Sequence, residues 1–191
     1  MEKIINLLNK RGFKAKYFLD KKSLSKYLIE SLVSKKIGIG GSMSVKELNI
    51  VEELKERNTV LWHWLDDSLD SVKDAEVYLS GVNALSKTGE IVNIDRIGNR
   101  LSMMCYGPEK LILIVGKNKI TKNLEEAIYR AKNIAAPLNA KRLNKKVPCV
   151  ELESCVDCNS SERICSGLLI LMRPMENMEV EVLIVDEKLG F

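Results

Sequence analysis

The chain has a single histidine, His63, and only 5% of its residues are aromatic. Rings so sparse cannot supply the stacking platforms of a single-strand nucleic-acid binder. Nor does one sign of charge dominate: 30 Lys and Arg against 26 Asp and Glu leave +4, too small an excess for a dedicated nucleic-acid surface. Long apolar runs are missing as well. The longest, residues 111–115 and 168–172, have strand length and cannot span a bilayer. At the start, Ile4, Ile5, Leu7 and Leu8 are interrupted by polar residues at helical spacing, which reads as an amphipathic helix and not as an export signal. The expected compartment is therefore a reducing cytoplasm. There is no internal repeat or low-complexity linker, and 191 residues suit one domain able to bury a core without help from metal.

Against this background the cysteines stand out. Four of the five, Cys149, Cys155, Cys158 and Cys165, fall in one polar window with C-x5-C-x2-C-x6-C spacing. In a reducing compartment such a group reads as metal-binding or catalytic, and four soft ligands suit an iron–sulfur cluster or zinc. Disulfides, or plain burial of small hydrophobes, are the blander alternatives. Burial is disfavoured by neighbours such as Ser154, Asp157, Asn159 and Glu162. The spacing matches neither a paired zinc knuckle nor the ferredoxin run, so iron and zinc both stay open. Lys141, Arg142, Lys145 and Lys146 lead into the window, where positive charge would favour an anionic cluster; a solvated basic face is the plainer account. Cys105 stands apart and reads as a core thiol.

The rest alternates strands and helices. Strands are expected at residues 13–18, 36–39, 59–62, 76–80, 90–94, 110–115, 168–172 and 180–185. Helices are expected near 23–32, from Ser44, over 50–57, over 68–75, and over 124–133 until Pro137 breaks the last. This is an α/β pattern: a mostly parallel sheet with helices on both faces, a hairpin near the end, and a cysteine-bearing segment at 149–165. Residues 1–35 are expected as a helix–strand–helix lead-in that makes a single globular unit with residues 36–191.

Several loops at strand ends are candidate sites. Gly40, Gly41 and Ser42 join a strand to a helix start, where backbone N–H groups could face an anion; a tight turn explains the same glycines. His63 ends a strand and could act as acid, base or ligand, or simply pack beside Trp64. Asn93, Asp95, Asn99 and Arg100 gather where another strand breaks off, as a pocket wall or as a braced turn. Lys117 and Lys119 form a basic loop after the most apolar strand.

In order, Gly40-Gly41-Ser42, the block 89–95 with Gly98-Asn99-Arg100, Tyr106-Gly107-Pro108, residues 116–119 and 135–140, Cys155-Val156-Asp157-Cys158 and Leu189-Gly190-Phe191 resemble the LUD domain of lactate-utilisation proteins, from about Lys36 onward. The resemblance implies a fold similar to ribose-5-phosphate isomerase, CoA-transferases and 5-formyltetrahydrofolate cyclo-ligase, and a link to lactate oxidation beside iron–sulfur partners. Where that family has Asp-Gly-x-Gly-Asn-Arg, this chain has Asp95-Arg96-Ile97-Gly98-Asn99-Arg100, a bulky cation beside the pocket.

The leading expectation is a redox protein carrying a four-iron (4Fe-4S) cluster on Cys149, Cys155, Cys158 and Cys165, with Cys149 the one to be absent if only three ligate. Two alternatives are a non-redox enzyme of isomerase or CoA-transferase type using Asp95 as base, and a zinc-stabilised binding module. The partners expected are a redox protein, a small anionic substrate, or both, with a homodimer as a further option, and neither nucleic acid nor membrane.

Overall fold

A computed structural model describes residues 1–65 and 70–191. Its centre is a six-stranded sheet with every pair parallel, in the order β1 (Lys14–Phe18), β10 (Glu179–Val185), β7 (Lys110–Gly116), β4 (Val77–Gly81), β2 (Lys36–Ile39), β3 (Thr59–Trp62). The unbroken apolar run of β7 is explained by this position. Leu111, Leu113 and Val115 enter one core and Ile112 and Ile114 the other, so alternation of polarity has no place in it. Each such fully buried side chain is worth about 1.5–3 kcal/mol.

One face is covered by α2 (Lys21–Ser31), α3 (Met43–Lys46) and α4 (Val51–Lys55), through Leu24, Leu28, Val45 and Leu54. The other takes Ile4 and Leu8 of α1 (Glu2–Lys10), and Met103 and Met104 of α5 (Asn99–Cys105). That second core also receives Leu85, Ile91 and Leu171 from a smaller sheet, ordered β8 (Ile120–Thr121), β5 (Ala84–Ser86), β6 (Ile91–Asp95), β9 (Gly167–Leu171). The far face of the small sheet packs on α6 (Leu124–Arg130) through Val92, Ile94, Ala127 and Ala131.

The structure amends several expectations. There are ten strands among the described residues, against eight expected, because β5 and β8 are too short to show a periodicity. No hairpin closes the chain: β9 edges the small sheet beside β6, whereas β10 enters the large sheet between β1 and β7. Asp20, not Ser23, caps α2 by accepting from Ser23 N–H at 2.7 Å. Ser42, not Ser44, caps α3, accepting from Val45 N–H at 3.2 Å. Of the helix expected over 68–75, Ser71–Asp74 is one turn of 3₁₀ helix, and residues 68 and 69 lie outside the described residues.

Pro137 does not break its helix. After α6 the chain widens into a π turn, Ala131–Ala135, and continues as α7 (Ala136–Arg142) with the proline in the first turn. A proline there needs no N–H, and the wide turn accommodates its ring. A short helix, α8 (Pro148–Leu152), and an irregular loop then carry the cysteines, anchored by Val147 and Ile164 packing on Ala140.

Candidate functional site

The carboxyl ends of β2, β3, β4 and β7 open on a cleft of about 300 Å³, within the size range of small-molecule sites. In parallel sheets this is where ligands bind, because loops from neighbouring strands converge there. Gly41, Ser42, His63, Asp95, Asn99, Arg100 and Lys119 all line it. So do residues not singled out in the sequence: Ser44, Trp64, Asn83 and Asn139. Arg142 and Lys145 also face the cleft, whereas the sequence reading placed their charge beside the cysteines. Nothing in linear order reveals these, since α3, the end of β3 and α7 meet only in the folded chain.

Close approach makes the floor. A Cβ on Gly81 would stand 2.7 Å from Ser42 Oγ and 2.8 Å from Ser44 Oγ, so only glycine lets β4 end against these hydroxyls. The expected anion cradle is modest: Ser42 spends its side chain capping a four-residue helix. Gly40 lies behind the floor, where a Cβ would fall 2.5 Å from the Tyr78 hydroxyl. Lys117 points elsewhere and pairs with Asp186 at 3.5 Å. Asn93 is fully buried, is not among the cleft's lining, and neither atom of its amide has a hydrogen-bond partner among the described residues.

One wall is the loop that carries Asp95. Gly98 adopts φ +84° at the start of α5, which bends the backbone around the carboxylate. Asp95 accepts from Ile97 N–H (3.2 Å), Gly98 N–H (3.4 Å), Arg100 N–H (3.2 Å) and Arg100 Nε (3.2 Å). With both oxygens engaged, its geometry suits aiming Arg100 more than taking a proton. Arg100 Nη2 donates to Ile94 O at 2.6 Å, and Nη1 has no hydrogen bond among the described residues. Arg96 is exposed at the cleft's edge. At the mouth, Arg142 lies 5.0 Å over the Trp64 ring.

The cleft's charge is one-sided. Among the side chains of the described lining residues, Arg96, Arg100, Lys119, Arg142 and Lys145 face a single carboxylate, Asp95. Burial, and then the charge of Arg100, pushes His63 below the ordinary imidazole value, so it is neutral at pH 7. A site so lined favours an anion.

The four cysteines of the window line a second, smaller cavity of about 20 Å³ together with Lys132, Arg163 and Ile164. All are free thiols at intermediate exposure. Burial, and next the proximity of Cys158, Cys165 and Cys155, raises the Cys149 thiol above its ordinary value. Arg163 ties the loop together, donating to Cys158 O (2.7 Å), Cys165 O (3.1 Å) and Asp157 Oδ1 (2.8 Å). Asn133, inside the π turn, holds the other end by accepting from Cys155 N–H at 3.0 Å. Asp157 N–H donates to Cys155 Sγ at 3.4 Å. Cys105 is distant from this cavity, on α5.

Chemically this donor set fits a thiophilic metal: four thiols around one cavity, an N–H on one sulfur, and cationic neighbours. The side chains are not already drawn to ligating positions. Among the described residues no group of three or more His, Cys, Asp and Glu stands ready to hold a metal ion.

No described helix is long and apolar enough to cross a membrane. No curated protein matches the chain significantly. In fold the chain is similar to a DUF162 family protein from Deinococcus radiodurans, with a TM-score of 0.59 and 13% identity over 96% of this chain and 94% of that one. The family model of the LUD domain matches residues 1–185, extending to the first helix the likeness read from Lys36 onward. The chain belongs to the LUD-domain family.

Proposed function

We propose that this LUD protein is a cytoplasmic redox protein that binds a small organic anion in the cationic cleft and a four-iron cluster on Cys149, Cys155, Cys158 and Cys165. The observation that carries this reading is the shared wall. Ala136 and Ile164 line both cavities, so the thiols and the cleft lie back to back. When bound, a cluster supplies one-electron transfer. The chain's own part is to hold and orient the anion. Arg100, aimed by Asp95, presents its free Nη1, Arg142 and Lys145 add positive charge at the rim, and neutral His63 offers a hydrogen bond without a second cation. Asn133 holds the cysteine loop to the π turn, Ile164 packs it on Ala140 of α7, and Arg163 braces it from within.

A second reading, a single zinc ion, is favoured by the size of the thiol cavity, about 20 Å³, room for one water-sized guest. Oxygen-free purification with iron, sulfide and zinc analysis separates the two. The expected result is a brown protein with about four iron and four sulfide per chain. Cys158→Ser should lose the iron and Cys105→Ser should keep it. A colourless protein with one zinc supports the second reading. Metal-free preparations, or full iron in both variants, overturn the assignment of the cysteines.

A further inference from the structure

We propose that Lys119 is a nucleophile, condensing with the carbonyl of a small 2-oxo carboxylate bound in the cleft to form an imine. Lys119 follows the end of β7 and is only 3% exposed, yet it lines the cleft. A buried ammonium normally has a carboxylate partner, and Lys119 has no ion pair among the described residues. Its Nζ hydrogen-bonds Ser44 Oγ at 2.6 Å. The Ser44 hydroxyl donates onward to Leu189 O at 3.4 Å, so it accepts from the amine and leaves the nitrogen's lone pair free. Glu47, an acid whose charge reaches the site, is occupied by Gly190 N–H at 2.8 Å.

The other charged neighbours are cations. Arg130 is buried beside Lys119, donating to Asn118 O at 2.9 Å and to Asn83 O, and Arg100 lies across the cleft. Burial first, then Arg130 and Arg100, holds the Lys119 amine down to about 7, so at neutral pH roughly half of it lacks its proton. Desolvation beside another cation is the usual way a protein makes a lysine nucleophilic. The same cations suit the carboxylate of a 2-oxo acid, with Arg100 Nη1 available to receive it.

The step balances without a further reagent. The Lys119 nitrogen bonds to the carbonyl carbon, the carbon–oxygen bond breaks, and the oxygen leaves as water with the two amine hydrogens. Carbonyl carbons that accept an amine are also those at which a hydroxy acid and its oxo acid interconvert, so the inference rests on the cleft being an organic-anion site and extends that reading.

The test is reductive trapping. The full chain is incubated with pyruvate and cyanoborohydride, and the adduct is mapped by mass spectrometry. The expected result is one stoichiometric gain equal to pyruvate less one oxygen atom, on Lys119. Excess lactate, which has the carboxylate but no carbonyl, should suppress it at least fivefold, and Lys119→Arg should abolish it. Because that variant may fold poorly, competitive labelling of native protein with a trace amine reagent provides a second readout. Lys119 should react with a midpoint near pH 7, well below that of the surface lysines. Equilibrium dialysis with labelled lactate separates the two failures. If lactate binds and pyruvate labels only surface lysines, the nucleophile is wrong and the anion site stands. If lactate does not bind, both fall.

Discussion

Asn93 is the residue whose chemistry is least provided for. It faces into the fold at zero exposure, and neither its carbonyl oxygen nor its amide nitrogen meets a partner among the described residues. Leaving such groups unpaired costs about 1–3 kcal/mol each, whereas an apolar side chain of like shape costs nothing of the kind. Asn93→Leu should therefore stabilise the protein by about 1–2 kcal/mol, which in a chain of this size raises Tm by about 2–4 °C per kcal/mol. Urea titration of the two proteins checks it. A fall in stability would mean that the amide serves a guest other than the chain itself. Asp95 gives the opposite case. A carboxylate at a strand end next to Asn99 and Arg100 could be read in the sequence as a base; its four N–H donors, two of them from Arg100, become visible only in the folded loop.

At the scale of elements, the large sheet depends on β10, the last strand made and the one inserted between β1 and β7. Glu181 lies in that strand almost fully buried and ties it to three neighbours: Lys110 of β7 (3.1 Å), Lys16 of β1 (3.1 Å) and Tyr27 of α2 (2.5 Å). Burial alone would raise its pKa, but the Tyr27 hydroxyl and Lys110 more than offset this and hold it below the ordinary 4.5. A carboxylate depressed in the folded state contributes stability above its unfolded value, and that contribution is lost as pH falls through the folded one. Glu181→Gln should cost about 1.5–3 kcal/mol at pH 7, the range for charged hydrogen bonds. It should also flatten the stability profile below pH 5, by about 1.4 kcal/mol for each unit of pKa depression removed. Parallel slopes for wild type and variant between pH 5 and 3 would refute this. The sequence is legible here only in part. The buried run of β7 and the strand ends at Gly40, His63 and Asp95 follow from local pattern, because burial on both faces and turn chemistry are written in neighbouring residues. The insertion of β10, the wide turn before Pro137 and the partners of Glu181 depend on residues far apart in the chain, so periodicity could not reach them. Likewise the four cysteines announce themselves by spacing, but the cleft behind them is assembled from loops that share no motif.

For the molecule as a whole, the consequence of this assembly is that two chemically unlike cavities share one thin wall. Ile164 lies immediately before Cys165 and Ala136 immediately after the π turn that holds Asn133, so a change on either side is felt by the same short segments. Their charges also interact. Deprotonated thiols gathered around a metal carry net negative charge, which lowers the positive potential that draws an anion into the cleft. Linkage makes the effect reciprocal: whatever factor metal loading takes from anion affinity, the anion takes from metal affinity. Metal-loaded protein should thus bind lactate more weakly than metal-free protein, by roughly fivefold at low salt, equivalent to about 1 kcal/mol of coupling. The difference should shrink as salt screens the charges across the wall. Paired calorimetric titrations at two ionic strengths measure it. Equal affinities at both would show the wall to be an insulator, and the cysteines would then serve a surface partner in place of the cleft.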